Sequence, residues 1–136
     1  MEKINNKDGL NTKKYILLVE DEPIALRVHQ MMLERLGYVV VHATTASKAL
    51  AEYKEKKFNV ILLDYGLPDF SGIELCKKIR SYEQLNRKEK SIALMLTAYL
   101  QDELLQQECR DAGVDEVAHK PITLQAMKDL LTRWLR

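Results

Sequence analysis

The chain has 136 residues, of which 46% are apolar and 30% are charged, which is typical of one folded domain with a hydrophobic core. Its net charge of +1 gives no basic field that would attract nucleic acid or an anionic membrane surface. The two cysteines have no metal-ligand spacing, and no apolar run approaches the roughly 20 residues that span a bilayer. These features favour a cytoplasmic protein over a disulfide-built or membrane-spanning one.

Short apolar runs alternate with stretches of helical periodicity from Tyr15 onward. Residues 1–14 are polar and are predicted to form a disordered lead-in or linker, and residues 15–136 are predicted to form one domain. Five runs without polar alternation are predicted to be strands buried on both faces. They are residues 15–19, 38–41, 60–63, 92–96 and 116–118.

Each run is followed by an amphipathic stretch. The first predicted helix begins at Pro23, ends at Gly37, and has an apolar face formed by Ile24, Val28, Met31 or Met32, and Leu36. The predicted caps of later helices are Thr45, Ser71 and Thr123. Residues 81–91 are highly charged and are predicted to be a solvent loop. Five β–α units in this order predict an α/β fold of the flavodoxin-like (βα)5 type, a three-layer sandwich with a parallel sheet in strand order 2-1-3-4-5.

Polar residues follow four of the five predicted strands. Glu20 and Asp21 follow the first strand, Asp64 the third, Thr97 the fourth and Lys120 the fifth. Because ligands of open α/β sheets bind at the carboxyl ends of the strands, these side chains are expected to converge. Three carboxylates against one ammonium leave an excess of negative charge that one divalent cation would neutralise, and all-oxygen ligands favour Mg²⁺.

Each residue has an ordinary structural explanation when it is taken singly. Glu20 and Asp21 would complement the dipole of the first helix. Asp64 would be a turn residue, and Lys120 followed by Pro121 would be a turn. The combination of residue types, in this order and at successive strand ends, is what favours a functional site.

The residues at these strand ends form motifs that resemble the receiver domain of two-component response regulators and hybrid sensor histidine kinases. The motifs are LLVEDEP at 17–23, LDYGLPD at 63–69 with Gly72, LTA at 96–98 and KP at 120–121, and the resemblance covers residues 15–135. It implies that Asp64 accepts a phosphoryl group from a phosphohistidine of a partner. The implied magnesium ligands are Glu20, Asp21, Asp64 and the backbone carbonyl of Gly66. The implied ligands of the phosphoryl oxygens are Thr97 and Lys120, and the Lys120–Pro121 peptide is expected to be cis.

The same resemblance implies the partners, which are a sensor histidine kinase or a histidine phosphotransfer domain. It implies a module that catalyses only its own phosphorylation and dephosphorylation and is not otherwise an enzyme. No contact with nucleic acid or membrane by the chain itself is expected, and a homodimer is a further expectation. The chain is interpreted as a stand-alone relay protein or as the receiver of a hybrid kinase.

The sequence departs from the family pattern at one position. The family usually has Tyr or Phe three residues before the lysine, and this chain has Val117, so the aromatic part of the family's switch is in question while the Thr97 part remains. Gly66 and Tyr99 occupy the two positions that tune attack by water in the family. The remaining histidines and cysteines are predicted to be structural: His29, His42, His119, Cys76 and Cys109.

Three other functions fit parts of the pattern. A phosphatase of the haloacid dehalogenase type would have a second Asp two residues after the nucleophile, where this chain has Gly66. A nucleotide- or flavin-binding domain would need a glycine-rich or hydroxyl-rich loop after the first strand, where acidic residues stand. A docking module that works without phosphorylation is favoured by Val117 and opposed by the intact acidic site.

Overall fold

The structure, a computed structural model, describes residues 13–135, which form five strands alternating with five helices. The strands are β1 (Tyr15–Val19), β2 (Val39–Ala43), β3 (Val60–Asp64), β4 (Ile92–Thr97) and β5 (Glu116–His119). The helices are α1 (Pro23–Arg35), α2 (Ala46–Glu55), α3 (Gly72–Leu85), α4 (Glu103–Ala112) and α5 (Leu124–Trp134). All strand pairs are parallel, and the order β2-β1-β3-β4-β5 confirms the predicted fold. Residues 1–12 of the predicted lead-in lie outside the described residues.

The sheet is covered on both faces, which explains the continuous apolar runs of its inner strands. Ile16 and Leu18 of β1 point into a core layer shared with α1 and α5, whereas Leu17 and Val19 point into a layer shared with α2, α3 and α4. Successive side chains of a strand point to opposite faces of the sheet. When helices cover both faces, every side chain of the strand is buried and is therefore apolar. This arrangement gives three layers and leaves the strand ends as the place for polar chemistry.

The edge strands differ from the prediction. β2 covers Val39–Ala43 and includes His42, which the sequence pattern placed beyond the strand, and β5 extends to His119. Both strands are only half-buried because each has one neighbour in the sheet. Apolar content therefore marks the inner strands more sharply than it marks the edges.

The predicted apolar face of the first helix is confirmed for Met32 and Leu36, which pack against the core, and is wrong for its other members. Ile24 and Met31 are 73% and 62% exposed, and Val28 is also exposed, while His29 and Leu33 are the buried residues of α1. The helix has two apolar stripes, and hydrophobic periodicity alone does not tell which stripe faces the sheet. One stripe packs on the core, and the other is left on the surface beside the carboxyl end of β1.

The predicted solvent loop at 81–91 is also wrong in its first half. Helix α3 continues to Leu85, and Glu83 and Ser91 are buried. Glu83 accepts hydrogen bonds from the Tyr53 hydroxyl and, at 2.9 Å, from the Ser91 amide, and it pairs with Arg80 at 2.8 Å. The Glu83 carboxylate, which was expected to be exposed to solvent, is instead buried in an ion pair with Arg80 and has its hydrogen bonds satisfied.

The predicted helix boundaries are confirmed by the cap contacts. The hydroxyl oxygens of Thr45, Ser71 and Thr123 each accept an amide hydrogen bond from the first turn of their helix. Gly37 and Gly113 have φ of 98°, a left-handed conformation that favours glycine after a helix. Within residues 13–135, no helix is both long enough and apolar enough to cross a membrane.

Candidate functional site

The carboxyl ends of the parallel strands bring the predicted site residues to one edge of the sheet. In the strand register Asp64 stands level with Leu96, and Thr97 stands level with His119. Lys120 follows β5 directly, and its amide donates a 2.9 Å hydrogen bond to the carbonyl of Thr97. Residues far apart in the chain therefore meet because four strands end at the same edge.

Lys120 joins the acidic residues of two strands. Its ammonium nitrogen lies 3.1 Å from Oδ1 of Asp64 and 3.1 Å from Oε1 of Glu20. The Lys120–Pro121 peptide bond is cis, as expected. The lysine is thus placed between the first and third strands, although it comes from the fifth.

Three carboxylates surround this ammonium. Oxygens of Glu20, Asp21 and Asp64 all lie within 4.8 Å of one another. Glu20 is buried, Asp64 is half-buried and Asp21 is exposed, so the cluster opens to solvent on one side. An all-oxygen donor set of this size, with room for water on the open side, fits a magnesium ion. These are the carboxylates that the sequence pattern predicted.

The electrostatics of the cluster follow from burial and from its excess of negative charge. Burial raises the pKa of Glu20, and the neighbouring charge of Asp64 raises it further, against the lowering effect of the Lys120 contact. Burial alone would lower the pKa of Lys120, but its hydrogen bonds to Asp64 and Glu20 outweigh burial and raise it. The lysine therefore stays charged, and the acidic cluster gains stability from any added cation.

Thr97 is buried at the end of β4, beside this cluster. Its Oγ1 accepts a 3.0 Å hydrogen bond from the amide of Tyr99 in the loop that follows. The Tyr99 side chain is itself exposed. The Thr97 hydroxyl is consequently the link between the strand end and the loop that leads to α4.

The loop between β3 and α3 is held in place by two contacts. Gly72, the first residue of α3, packs so closely that a Cβ there would collide with the backbone carbonyl of Asp64. Asp69 accepts hydrogen bonds from the amides of Ala46 (2.9 Å) and Ser47 (2.8 Å), and its contacts with Ser47 hold the pKa of the Asp69 carboxyl below its usual range. Gly66 lies within this loop, two residues after Asp64, and has no side chain that could enter the site. Its carbonyl remains a predicted ligand.

His29 is a residue of this region whose position the sequence did not predict. Its ring lies in the buried face of α1, and its Nδ1 lies 3.8 Å from Oε1 of Glu20. A single histidine in a helical pattern carries no signal for such a neighbour, because the contact depends on the crossing of α1 over β1. The other two histidines, His42 and His119, are exposed.

Comparisons with known proteins agree with this fold and site. The family model described as response regulator receiver domain matches residues 16–132. The chain is 37% identical to the sensor histidine kinase AruS of Pseudomonas aeruginosa over 117 residues, which are 85% of the chain and 11% of that protein. It is 30% identical over 122 residues to hybrid signal transduction histidine kinase C of Dictyostelium discoideum, covering 88% of the chain and 10% of that protein. The chain thus spans about a tenth of the length of these relatives.

A solved structure with a similar fold contains a metal ion. The receiver domain of the sensor histidine kinase PA1611 from Pseudomonas aeruginosa, with magnesium coordinated in its active site cleft, has a TM-score of 0.78 and 31% identity over 90% of this chain and 98% of that one. The family match covers most of the chain, so the chain belongs to the response regulator receiver domain family. Receiver domains are signalling domains, and their magnesium site is an acidic pocket like the one formed by Glu20, Asp21 and Asp64.

Proposed function

We propose that this receiver domain accepts a phosphoryl group on Asp64 from a phosphohistidine of a partner protein, and that it does so with Mg²⁺ bound. The observation that carries the proposal is the position of Lys120, which bridges Asp64 and Glu20 across the strand ends at 3.1 Å each. A lysine bridge beside three clustered carboxylates stabilises the fold poorly, since the cluster keeps an excess of negative charge. The same arrangement suits the capture of a cation and a phosphoryl group.

The proposed transfer is a single exchange of bonds at phosphorus. A carboxylate oxygen of Asp64 forms the new P–O bond, the P–N bond of the phosphohistidine breaks, and the donor imidazole leaves with the electron pair of that bond. Glu20, Asp21, Asp64 and the carbonyl of Gly66 would hold Mg²⁺, which would supply charge neutralisation for the phosphoryl oxygens. Lys120 turns from the carboxylates to one phosphoryl oxygen, and the Thr97 hydroxyl donates to another.

The movement of Thr97 supplies a route to the surface. Its Oγ1 accepts the Tyr99 amide in the structure, so a hydroxyl that turns to a phosphoryl oxygen weakens that contact. The loop carrying the exposed Tyr99 is then free to change its position. Because Val117 stands in place of an aromatic residue, the movement of this loop is the main structural change expected on phosphorylation.

The exposed stripe of α1 supports a helical partner. Ile24, Val28 and Met31 recur at helical spacing on the solvent side of α1, and Ile24 lies in the first turn beside the acidic cluster. A similar domain is known in complex with a histidine phosphotransfer protein. It is the receiver domain of Ssk1 from Saccharomyces cerevisiae, which has been co-crystallised with the phosphotransfer protein Ypd1. That structure matches this chain with a TM-score of 0.84 and 27% identity, over 90% of this chain and 88% of that one. We propose that the stripe packs against a helix of the phosphohistidine donor.

The chemistry is tested by intact-protein mass after incubation with acetyl phosphate and Mg²⁺. A single phosphoryl adduct is expected, and it should vanish in the Asp64→Asn variant and in the presence of a chelator. Acetate replaces imidazole as the leaving group, so no partner is required. The absence of an adduct under every condition would refute the proposal and support a docking module that works without phosphorylation.

The docking surface is tested with phosphorylated Ypd1 as the donor. The double variant Ile24→Ala, Met31→Ala is expected to slow transfer from the protein about tenfold relative to transfer from acetyl phosphate, the effect of losing roughly 1.4 kcal/mol of contact energy. Leu85→Ala is the matched control, since Leu85 is 83% exposed at the far end of α3. Equal rates for the double variant and the control would exclude this surface.

Three finer aspects of the function belong to the same proposal. The domain acts only on its own phosphorylation state and has no separate substrate, which predicts no turnover of a generic phosphate ester. Sedimentation of the phosphorylated and unphosphorylated forms measures the predicted homodimer. Cytoplasmic residence is proposed from the signalling class of the domain.

A further inference from the structure

His29 has an unusual environment for a buried polar side chain. The residue is 5% exposed. Within residues 13–135, its Nδ1 is the one buried side-chain polar atom without a hydrogen-bond partner. Oε1 of Glu20 lies 3.8 Å from this Nδ1, a distance longer than a hydrogen bond. Buried polar groups of folded proteins are almost always paired, so an unpaired one calls for a functional explanation.

The explanation lies in what holds Glu20. Its Oε1 accepts from Lys120 at 3.1 Å, and its Oε2 accepts from the amide of Glu22 at 3.3 Å. Among the Lys, Arg and His side chains of the described residues, Lys120 and His29 have a nitrogen within 4.0 Å of a Glu20 oxygen. Glu20 therefore depends on Lys120 alone for the pairing of its Oε1.

The proposed function removes that pairing. A phosphoryl group on Asp64 adds negative charge, and Lys120 moves to it. Oε1 of Glu20 is then left without a donor although the Glu20 side chain is only 2% exposed. Carboxylates that hold a metal are normally oriented by further hydrogen bonds, so a second donor is needed at this point.

We propose that His29 is a positioning residue that takes over Oε1 of Glu20 when Lys120 turns to the phosphoryl group. The inference rests on the proposed function, since it assigns His29 a role only when Asp64 is phosphorylated. The imidazole acts as a neutral donor through an Nδ1–H, directly after a small shift or through one water molecule. Burial and the nearby charge of Lys120 lower the pKa of His29 in the unphosphorylated structure.

Two substitutions separate this role from packing. In His29→Asn the amide nitrogen lies close to the original place of Nδ1, so the donor is retained. His29→Leu fills similar space without a donor. Both variants, with the unsubstituted protein, are titrated with Mg²⁺ alone and with Mg²⁺ plus beryllofluoride, a phosphoryl mimic, and binding is followed by amide chemical shifts.

The leucine variant is expected to lose roughly tenfold in affinity for Mg²⁺–beryllofluoride, the effect of one hydrogen bond to a charged group, and to lose less for Mg²⁺ alone. The asparagine variant is expected to stay within about threefold of the unsubstituted protein, since it keeps one such bond. Equal losses in the two variants would show a packing role and overturn the inference, as would no loss in either. An unsubstituted protein that binds neither ligand would overturn the proposed function itself.

A second measurement needs no variant to fold. Nitrogen-15 correlation spectra of the unsubstituted protein identify which imidazole nitrogen of His29 carries the proton. An Nδ1–H tautomer in the beryllofluoride complex is expected. A ring protonated only at Nε2 cannot donate to Glu20 from Nδ1 and would overturn the inference.

Discussion

Replacing Asp64 with asparagine removes one negative charge from the crowded edge of the sheet and keeps the shape of the side chain. The oxygens of Glu20, Asp21 and Asp64 lie within 4.8 Å of one another, and Lys120 lies 3.1 Å from Asp64. At an effective dielectric constant of about 20, each repulsion amounts to at least about 3.5 kcal/mol, its value at the 4.8 Å limit, and the attraction over 3.1 Å to about 5.4 kcal/mol. Two repulsions against one attraction leave a net repulsion of at least about 1.6 kcal/mol, or about 0.4 kcal/mol at the dielectric constant of water.

Without metal, Asp64→Asn is therefore expected to raise the free energy of unfolding by about 1 kcal/mol. Magnesium should reverse the order, because a ligand at ten times its dissociation constant stabilises the unsubstituted protein by about 1.4 kcal/mol and the variant has lost a ligand atom. Urea unfolding in a chelator and in Mg²⁺ measures both values. Asp111→Asn, which changes an exposed carboxylate on α4, is the control for net charge.

Two outcomes would refute this reasoning. A variant less stable than the unsubstituted protein in the chelator would mean that the Lys120 attraction outweighs the repulsion. Equal stabilisation of both proteins by Mg²⁺ would mean that the cation does not bind at Asp64.

Three further predictions concern packing and burial. Glu83→Ala should lower the free energy of unfolding by about 1–3 kcal/mol, because the buried Ser91 amide loses its acceptor, whereas Arg80 keeps its pair with Asp115. No measurable loss in urea unfolding would contradict this. Gly72→Ala should lower the free energy of unfolding by roughly 1–3 kcal/mol, because the new methyl group displaces the carbonyl of Asp64. The same displacement should reduce phosphorylation by acetyl phosphate. An unchanged mass adduct and an unchanged unfolding curve would refute this contact. Both buried cysteines should resist a thiol reagent at pH 8 until the protein is unfolded, since burial raises the pKa of the Cys76 thiol to about 11; rapid labelling of the folded protein would contradict this.

The fold and the acidic cluster were predictable because they depend on local patterns that one topology brings together. The inner strands are apolar without alternation, and parallel strands end at the same edge. Any chain with Glu20, Asp64 and Lys120 directly after such strands places those residues close together once the strand order is fixed. Sequence order and sheet topology are sufficient to predict that these side chains cluster.

The surface of α1 and the network around Glu83 were not predictable in the same way. α1 carries two apolar stripes, and the one that faces the sheet is decided by how the helix crosses β1. The sequence around Glu83 predicts an exposed loop residue. Its partners Tyr53 and Ser91 lie in α2 and just before β4, so the local sequence does not indicate that Glu83 is buried. Contacts between distant segments decide both cases, and periodicity within one segment carries no record of them.

The exposed stripe of α1 and the buried His29 belong to one helix, and together they suggest how the domain divides its work. On the two proposals, the outer face, with Ile24 and Met31, would meet a partner before transfer. The inner face, where His29 lies 3.8 Å from Glu20, would act in the state after transfer. A substitution on the outer face should therefore change the rate of transfer from a protein donor. A substitution at His29 should instead change the affinity for a bound phosphoryl mimic. Opposite faces of one helix would then control separate steps of the same reaction, and variants on each face distinguish the two steps.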